Sequence, residues 1–145
     1  MKRNYALIAL VACIALVTLA ATPGHAQVLL KADVPFSFSA GYGTLPAGEY
    51  SIARAGFGQV IQLSAGRRGV ELMMPHSVEA RSDIQTAKLV FHRYGDEYFL
   101  AEIWTNADDC VRKLVVNRRE RQMAKAGISP EVAVVYGLLV SAKGN

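Results

Sequence analysis

Two stretches late in the chain, residues 87–94 and 98–104, constrain the fold most. Both alternate their side chains with period two, the mark of a β-strand. Leu89 and Phe91 share one face with Arg93, and Val90, His92 and Tyr94 share the other. Across a compact turn at Tyr94-Gly95-Asp96-Glu97, Phe99, Ala101 and Ile103 oppose Tyr98, Leu100, Glu102 and Trp104. Large side chains on both faces imply that both faces are covered, so this hairpin is expected at the centre of a sheet.

The remaining strands are shorter. Val34, Phe36, Phe38 and Ala40 alternate with Pro35, Ser37 and Ser39, a half-buried strand whose Pro35 favours an edge or a strand start. Leu45-Pro46-Ala47-Gly48 is a turn, because Pro46 presets φ at its second position and Gly48 suits its fourth. Tyr50 and Ile52 restart the alternation, residues 54–58 turn again, and Ile61 and Leu63 face one way. After a turn at 64–69, Val70, Leu72 and Met74 form a fourth strand that Pro75 stops. Residues 76–86 are polar without a period, a loop or a weak edge strand, and 110–116 offer a short strand after the polar turn at 106–109.

The pattern then changes. Asn117 is a good helix N-cap, Glu120 sits at the capping-box position, and Gly127 suits the residue past a helix end. A last strand follows Pro130, with Val132, Val134 and Tyr136 on one face. The expected fold is mainly β, an antiparallel sandwich or small barrel of about seven to eight strands with one short helix in the C-terminal half.

The N-terminus is an address. Lys2 and Arg3 precede an apolar run over residues 5–21, and Pro23 and Gly24 then break the helix. Small residues at Gly24 and Ala26 suit signal peptidase, so 1–26 reads as a signal peptide cut after Ala26. The run is short for a membrane span, which takes ~20 residues. Leu10-Val11-Ala12-Cys13 matches a loose lipidation motif, but residues 14–21 are apolar where a lipidated chain needs a polar tether. Export follows: the working protein is periplasmic, envelope-associated or secreted, and residues 27–145 form a single β-rich domain.

Lys2 and Arg3 leave with the signal, so fourteen basic side chains face twelve acidic ones in the rest. Near-balance argues against a nucleic-acid partner. Cys110 is then the single cysteine, unable to close an intrachain disulfide; it is expected to be a buried or tolerated free thiol, with pairing to another chain as the alternative.

Three segments together resemble a group of small exported bacterial proteins: Val34-Pro35-Phe36-x-Phe38, Leu45-Pro46-Ala47-Gly48-Glu49-Tyr50-x-Ile52, and the long run from Lys88 to Leu100. Trp104-Thr105 and the basic segment Arg118 to Arg121 also match that group. The resemblance implies export and one β-rich domain, and brings no catalytic residue.

Chemistry-bearing residues are sparse. His76 and His92 lack a Cys or carboxylate at metal-ligand spacing, and there is no nucleophile elbow. Gly41-x-Gly43 precedes no helix that could cradle a phosphate. The acidic pairs Asp96-Glu97 and Asp108-Asp109 fall in turns. No catalytic residue, cofactor or metal is therefore expected. The best surface feature is basic: Arg112, Lys113, Arg118, Arg119, Arg121 and Lys125, against Glu120 alone. Arginine forks suit phosphate and carboxylate. Outside the cytoplasm the matching partners are lipid headgroups, lipopolysaccharide or acidic glycans. Tyr42, Tyr50, Tyr94, Tyr98 and Trp104 are expected mainly to pack across strands.

The function expected is an exported, non-catalytic cell-envelope binding or structural module that meets an anionic surface through this basic segment. The alternative is a carrier holding a small apolar ligand inside a barrel. Less favoured is a hydrolase, which would need the loop carboxylates to converge in one cleft with at least one pKa raised.

Overall fold

The computed structural model describes residues 27–55, 60–66 and 68–138. The expected signal peptide with its cleavage point and Cys13, residues 56–59, Arg67 and residues 139–145 lie outside the described residues. In chain order the elements are β1 (Gln27–Val34), β2 (Phe38–Ala40), β3 (Gly43–Leu45), β4 (Gly48–Ala55), β5 (Val60–Ala65) and β6 (Arg68–Met73). They continue as β7 (Pro75–Ala80), β8 (Lys88–Tyr94), β9 (Glu97–Thr105), β10 (Cys110–Leu114), α1 (Arg118–Lys125) and β11 (Glu131–Tyr136).

The strands make two sheets. One is four-stranded in the order β1-β4-β5-β6, and the other runs β11-β8-β9-β10-β7. The small β2–β3 hairpin joins the second sheet where Ser39 pairs in parallel with Phe99 of β9. The fold is a β-sandwich with one short helix, and its sheets do not close into a barrel. Eleven strands stand among the described residues, because the stretch 34–40 divides between β1 and β2, and β3 and β7 form where a loosened turn and a loop or weak edge strand were expected.

Two seams join the sheets. On one side β6 passes into β7 through Met74 alone. On the other, Lys31 of β1 and Leu138 exchange backbone hydrogen bonds of 2.9 and 2.7 Å, and the Gly137 N–H donates to the Ala87 carbonyl at 2.9 Å. Between the sheets lies one core, drawn from Leu30, Val34, Ile52 and Ile61 on one side and Leu89, Phe91 and Ile103 on the other. Phe38 bridges it, edge-on to both Tyr50 (5.2 Å) and Phe91 (5.3 Å).

The hairpin β8–β9 is central, as its two-faced pattern implies. Its faces differ from the simple alternation. Val90 pairs with Glu102 and Phe91 with Leu100, which leaves Ala101 as the extra residue of a β-bulge. The bulge resets the parity of β9. Leu100 and Ile103 both enter the sandwich core, while Phe99 faces the opposite side beside Tyr94. A bulge in β1 between Val28 and Leu30 likewise buries both Leu29 and Leu30.

Other expectations shift for physical reasons. The strand read from Val34 to Ala40 is two strands in two sheets, since Pro35 has no N–H for the ladder and the chain crosses over there. The first of the two is the end of β1, which covers Gln27–Val34 in the described residues. Met73 is the buried methionine and Met74 the exposed one, because Met74 occupies the corner between sheets. Residues 75–80 are an edge strand paired to β10. Val132, Val134 and Tyr136 share a face as expected, but that face is exposed.

Gly137 marks how tight the β1 seam is. A Cβ there would sit 2.8 Å from Leu30 Cδ1 and 3.0 Å from the Lys31 carbonyl oxygen. Gly137→Ala is expected to cost about 1–3 kcal/mol by urea denaturation, the usual cost of overpacking. An unchanged midpoint would show that the seam can spread.

Candidate functional site

The helix α1 positions the basic side chains. The Asn117 side chain accepts the Glu120 N–H at 2.8 Å, an N-cap bond. At the other end Gly127 has φ +79°, and the Gly127 and Ile128 N–H groups donate to Ala124 and Met123. That is a Schellman ending, which glycine favours. The capping box is only half made, because the Glu120 carboxylate is used elsewhere. It is buried and meets His92 Nδ1 at 2.6 Å.

Three contacts seat the helix on the outer face of the second sheet. Met123 packs with Tyr94 and Phe99, whose rings meet edge-on at 5.8 Å. The Glu120–His92 bond is the second. The third is Arg119, whose guanidinium donates twice to Glu97 at 2.7 and 3.1 Å. The Glu97 carboxyl is held below its ordinary pKa chiefly by those hydrogen bonds. With residues 119, 120 and 123 committed to the sheet, Arg118, Arg121 and Lys125 fall on another helix face, at i, i+3 and i+7.

The six expected basic residues therefore divide. Arg112 is a correction: it is 3 % exposed and does not belong to a surface patch. Its strand position turns it inward, where it ion-pairs with Asp108 and donates to the Thr105 hydroxyl at 2.9 Å. Thr105 in turn donates to Asp108 at 2.5 Å. Lys113 is spent on Glu79 at 2.7 Å, and Arg119 on Glu97. Arg118, Arg121 and Lys125 are exposed and form no ion pair among the described residues.

These three, with Gln122, line a cavity of about 410 Å³. Arg118 and Arg121 also line an adjoining groove of about 420 Å³ whose other walls include Tyr42, Met74, Leu114, Val115 and Val116. Among the described residues no carboxylate lines either space. Tyr42, Met74, Val115 and Val116 are all exposed. The sequence carried the i, i+3, i+7 signal for the cations, but not the apolar wall, which comes from β2–β3, the β6–β7 corner and the end of β10.

The other candidates resolve into packing. Tyr50 is buried and its hydroxyl donates to the Pro46 carbonyl at 2.6 Å. Tyr94 is in the helix cluster, and Tyr98 stacks on Phe36 at 3.7 Å. Trp104 lies under Lys88 (4.2 Å) and donates to Glu102 at 2.7 Å. Cys110 is half-buried, with Sγ 3.1 Å from the Asp108 carbonyl oxygen. The acidic pairs stand off opposite ends of β9, about 26 Å apart at the rise of a strand. Among the described residues no three His, Cys, Asp or Glu side chains are grouped to hold a metal ion. No protein-family model, curated protein or solved structure matches the chain.

Asp108 binds the sandwich end together. Burial pushes its carboxyl pKa up, but hydrogen bonds from Arg112 and Thr105 and the nearby Arg54 outweigh that and leave it below its ordinary value. A depressed pKa stabilises the fold above the unfolded pKa of about 4, and that stability is lost as pH falls through the folded pKa. Asp108→Ala strands the buried Arg112 and is expected to cost about 3–5 kcal/mol at neutral pH. The variant should also lose part of the acid slope of a urea-midpoint titration. A loss under about 1 kcal/mol with an unchanged slope would contradict this role.

Proposed function

We propose that this protein is an exported, non-catalytic binding module of the cell envelope that attaches to an anionic surface through Arg118, Arg121 and Lys125. The observation that carries this is the division of the basic residues. Arg112, Lys113 and Arg119 are each neutralised by a carboxylate, whereas these three share one helix face and one cavity with no acid in its lining among the described residues. Unneutralised cations held on a seated helix make a standing positive field. The signal segment in the sequence and the resemblance to small exported bacterial proteins support the location.

The carrier alternative needed a barrel interior. The space between the sheets is instead occupied by Phe38, Tyr50, Phe91 and the aliphatic core. A hydrolase needs two carboxylates on one cleft. Glu97 and Asp108 are each tied to an arginine, and both pKa values are lowered.

The test is sedimentation of the mature protein with an isolated envelope fraction across a salt series. Each basic side chain near an anionic surface contributes roughly 1 kcal/mol, so the triple change Arg118→Gln, Arg121→Gln, Lys125→Gln should weaken association by about two orders of magnitude at low salt. It should also flatten the salt dependence. Lys31→Gln, on the other sheet, should leave association as it was. Equal association of wild type and triple variant would overturn the proposal.

A further inference from the structure

We infer that the anionic surface is a lipid bilayer containing acidic phospholipid, which the tip of the β2–β3 hairpin and the segment after β10 enter beside the arginines. This rests on the proposal that Arg118, Arg121 and Lys125 meet an anionic partner, and names the partner's chemistry.

Apolar side chains share the groove with the cations. Arg118 and Arg121 form one part of its lining, and Tyr42, Met74, Val115 and Val116 form another. Tyr42 is completely exposed, and Met74 and Val115 are each more than half exposed. A hydrophilic polyanion would satisfy the arginines and leave this apolar wall in water. A bilayer satisfies both, with phosphates at the guanidinium forks and acyl chains or glycerol backbone against the wall. A second copy of the same face would bring its own arginines against these, a like-charge arrangement that opposes self-association here.

The hairpin tip is built to present its tyrosine. Gly41 has φ +58°, and a Cβ there would lie 2.7 Å from Glu71 Oε1. The same carboxylate oxygen accepts the Tyr42 N–H at 3.2 Å. The turn is thus seated on β6 by its backbone, and the Tyr42 ring is left outside. A tyrosine suits the depth at which headgroups meet hydrocarbon, because its ring is apolar and its hydroxyl polar. Charge attraction and shallow apolar insertion are each weak alone, and membrane attachment commonly needs two such signals.

The test uses the mature protein and two probes. The first is vesicles of phosphatidylcholine with or without phosphatidylglycerol, read by co-sedimentation. The second is soluble polyphosphate, which offers the charge without the hydrocarbon. Wild type should bind the phosphatidylglycerol vesicles and not pure phosphatidylcholine, and should bind polyphosphate more weakly. Tyr42→Ser with Val115→Ser should lower vesicle affinity about tenfold or more and leave polyphosphate binding unchanged. Arg118→Gln with Arg121→Gln should weaken both. All four side chains are exposed, and an unchanged urea midpoint confirms that the variants fold. If the serine variant binds vesicles like wild type while the glutamine variant does not, the anionic-surface proposal stands and bilayer entry is overturned. If wild type binds neither probe, the proposal beneath it fails as well.

Discussion

The seating of Met123 against Tyr94 and Phe99 is the contact on which the site depends. A sheet in a sandwich usually keeps one face wet. Here part of the outer face is apolar, because the Ala101 bulge shifts the alternation of β9 so that Leu100 joins Ile103 in the core and Phe99 turns outward. That outward Phe99 gives a short helix something to pack against. An eight-residue helix would be marginal on propensity alone. Once it is docked, the buried Glu120–His92 bond and the Arg119–Glu97 pair fix its rotation. The direction of Arg118, Arg121 and Lys125 follows from that rotation.

A second constraint holds the far end of β9. Arg112, Thr105 and Asp108 form a largely buried polar cluster at the β9–β10 turn, and Arg54 of β4 approaches Asp108 at 3.7 Å from the other sheet. A buried pair of this kind adds little net stability over an apolar one, yet removing one partner is costly. Its consequence for the surface is subtraction: an arginine that looks available in the sequence is spent internally. Lys113 and Arg119 are subtracted too, by Glu79 and Glu97. What remains is a smaller, better-defined set of cations than the basic run suggests.

Local signals were well written in the sequence. The β8–β9 hairpin, the Asn117 cap and the Gly127 ending all depend on neighbours within a few residues, and all are where their chemistry places them. The bulge was invisible, because one extra residue changes no composition and only the pairing of Phe91 with Leu100 exposes it. Pro35 was read as a sign of an edge or a strand start, but that the chain changes sheets there is a tertiary fact. Arg112 misled because a charged side chain on a strand reads as outward unless its partner is known. Thr105, Asp108 and Arg112 bracket one turn, and that spacing was the available clue. The apolar wall around Tyr42 was not legible at all, since Tyr42, Met74 and Val115 are brought together by three separate corners of the fold.

The most direct measurement is residue-by-residue NMR of the mature protein on nanodiscs containing phosphatidylglycerol and a paramagnetic label on the acyl chains. Line broadening is expected at the amides of Tyr42, Met74, Val115 and Val116, fading through Arg118 and Arg121, with β4 and β5 unaffected. Broadening centred instead on the exposed stripe of Val132, Val134 and Tyr136, or absent from every residue, would contradict membrane attachment through the basic helix and its apolar wall.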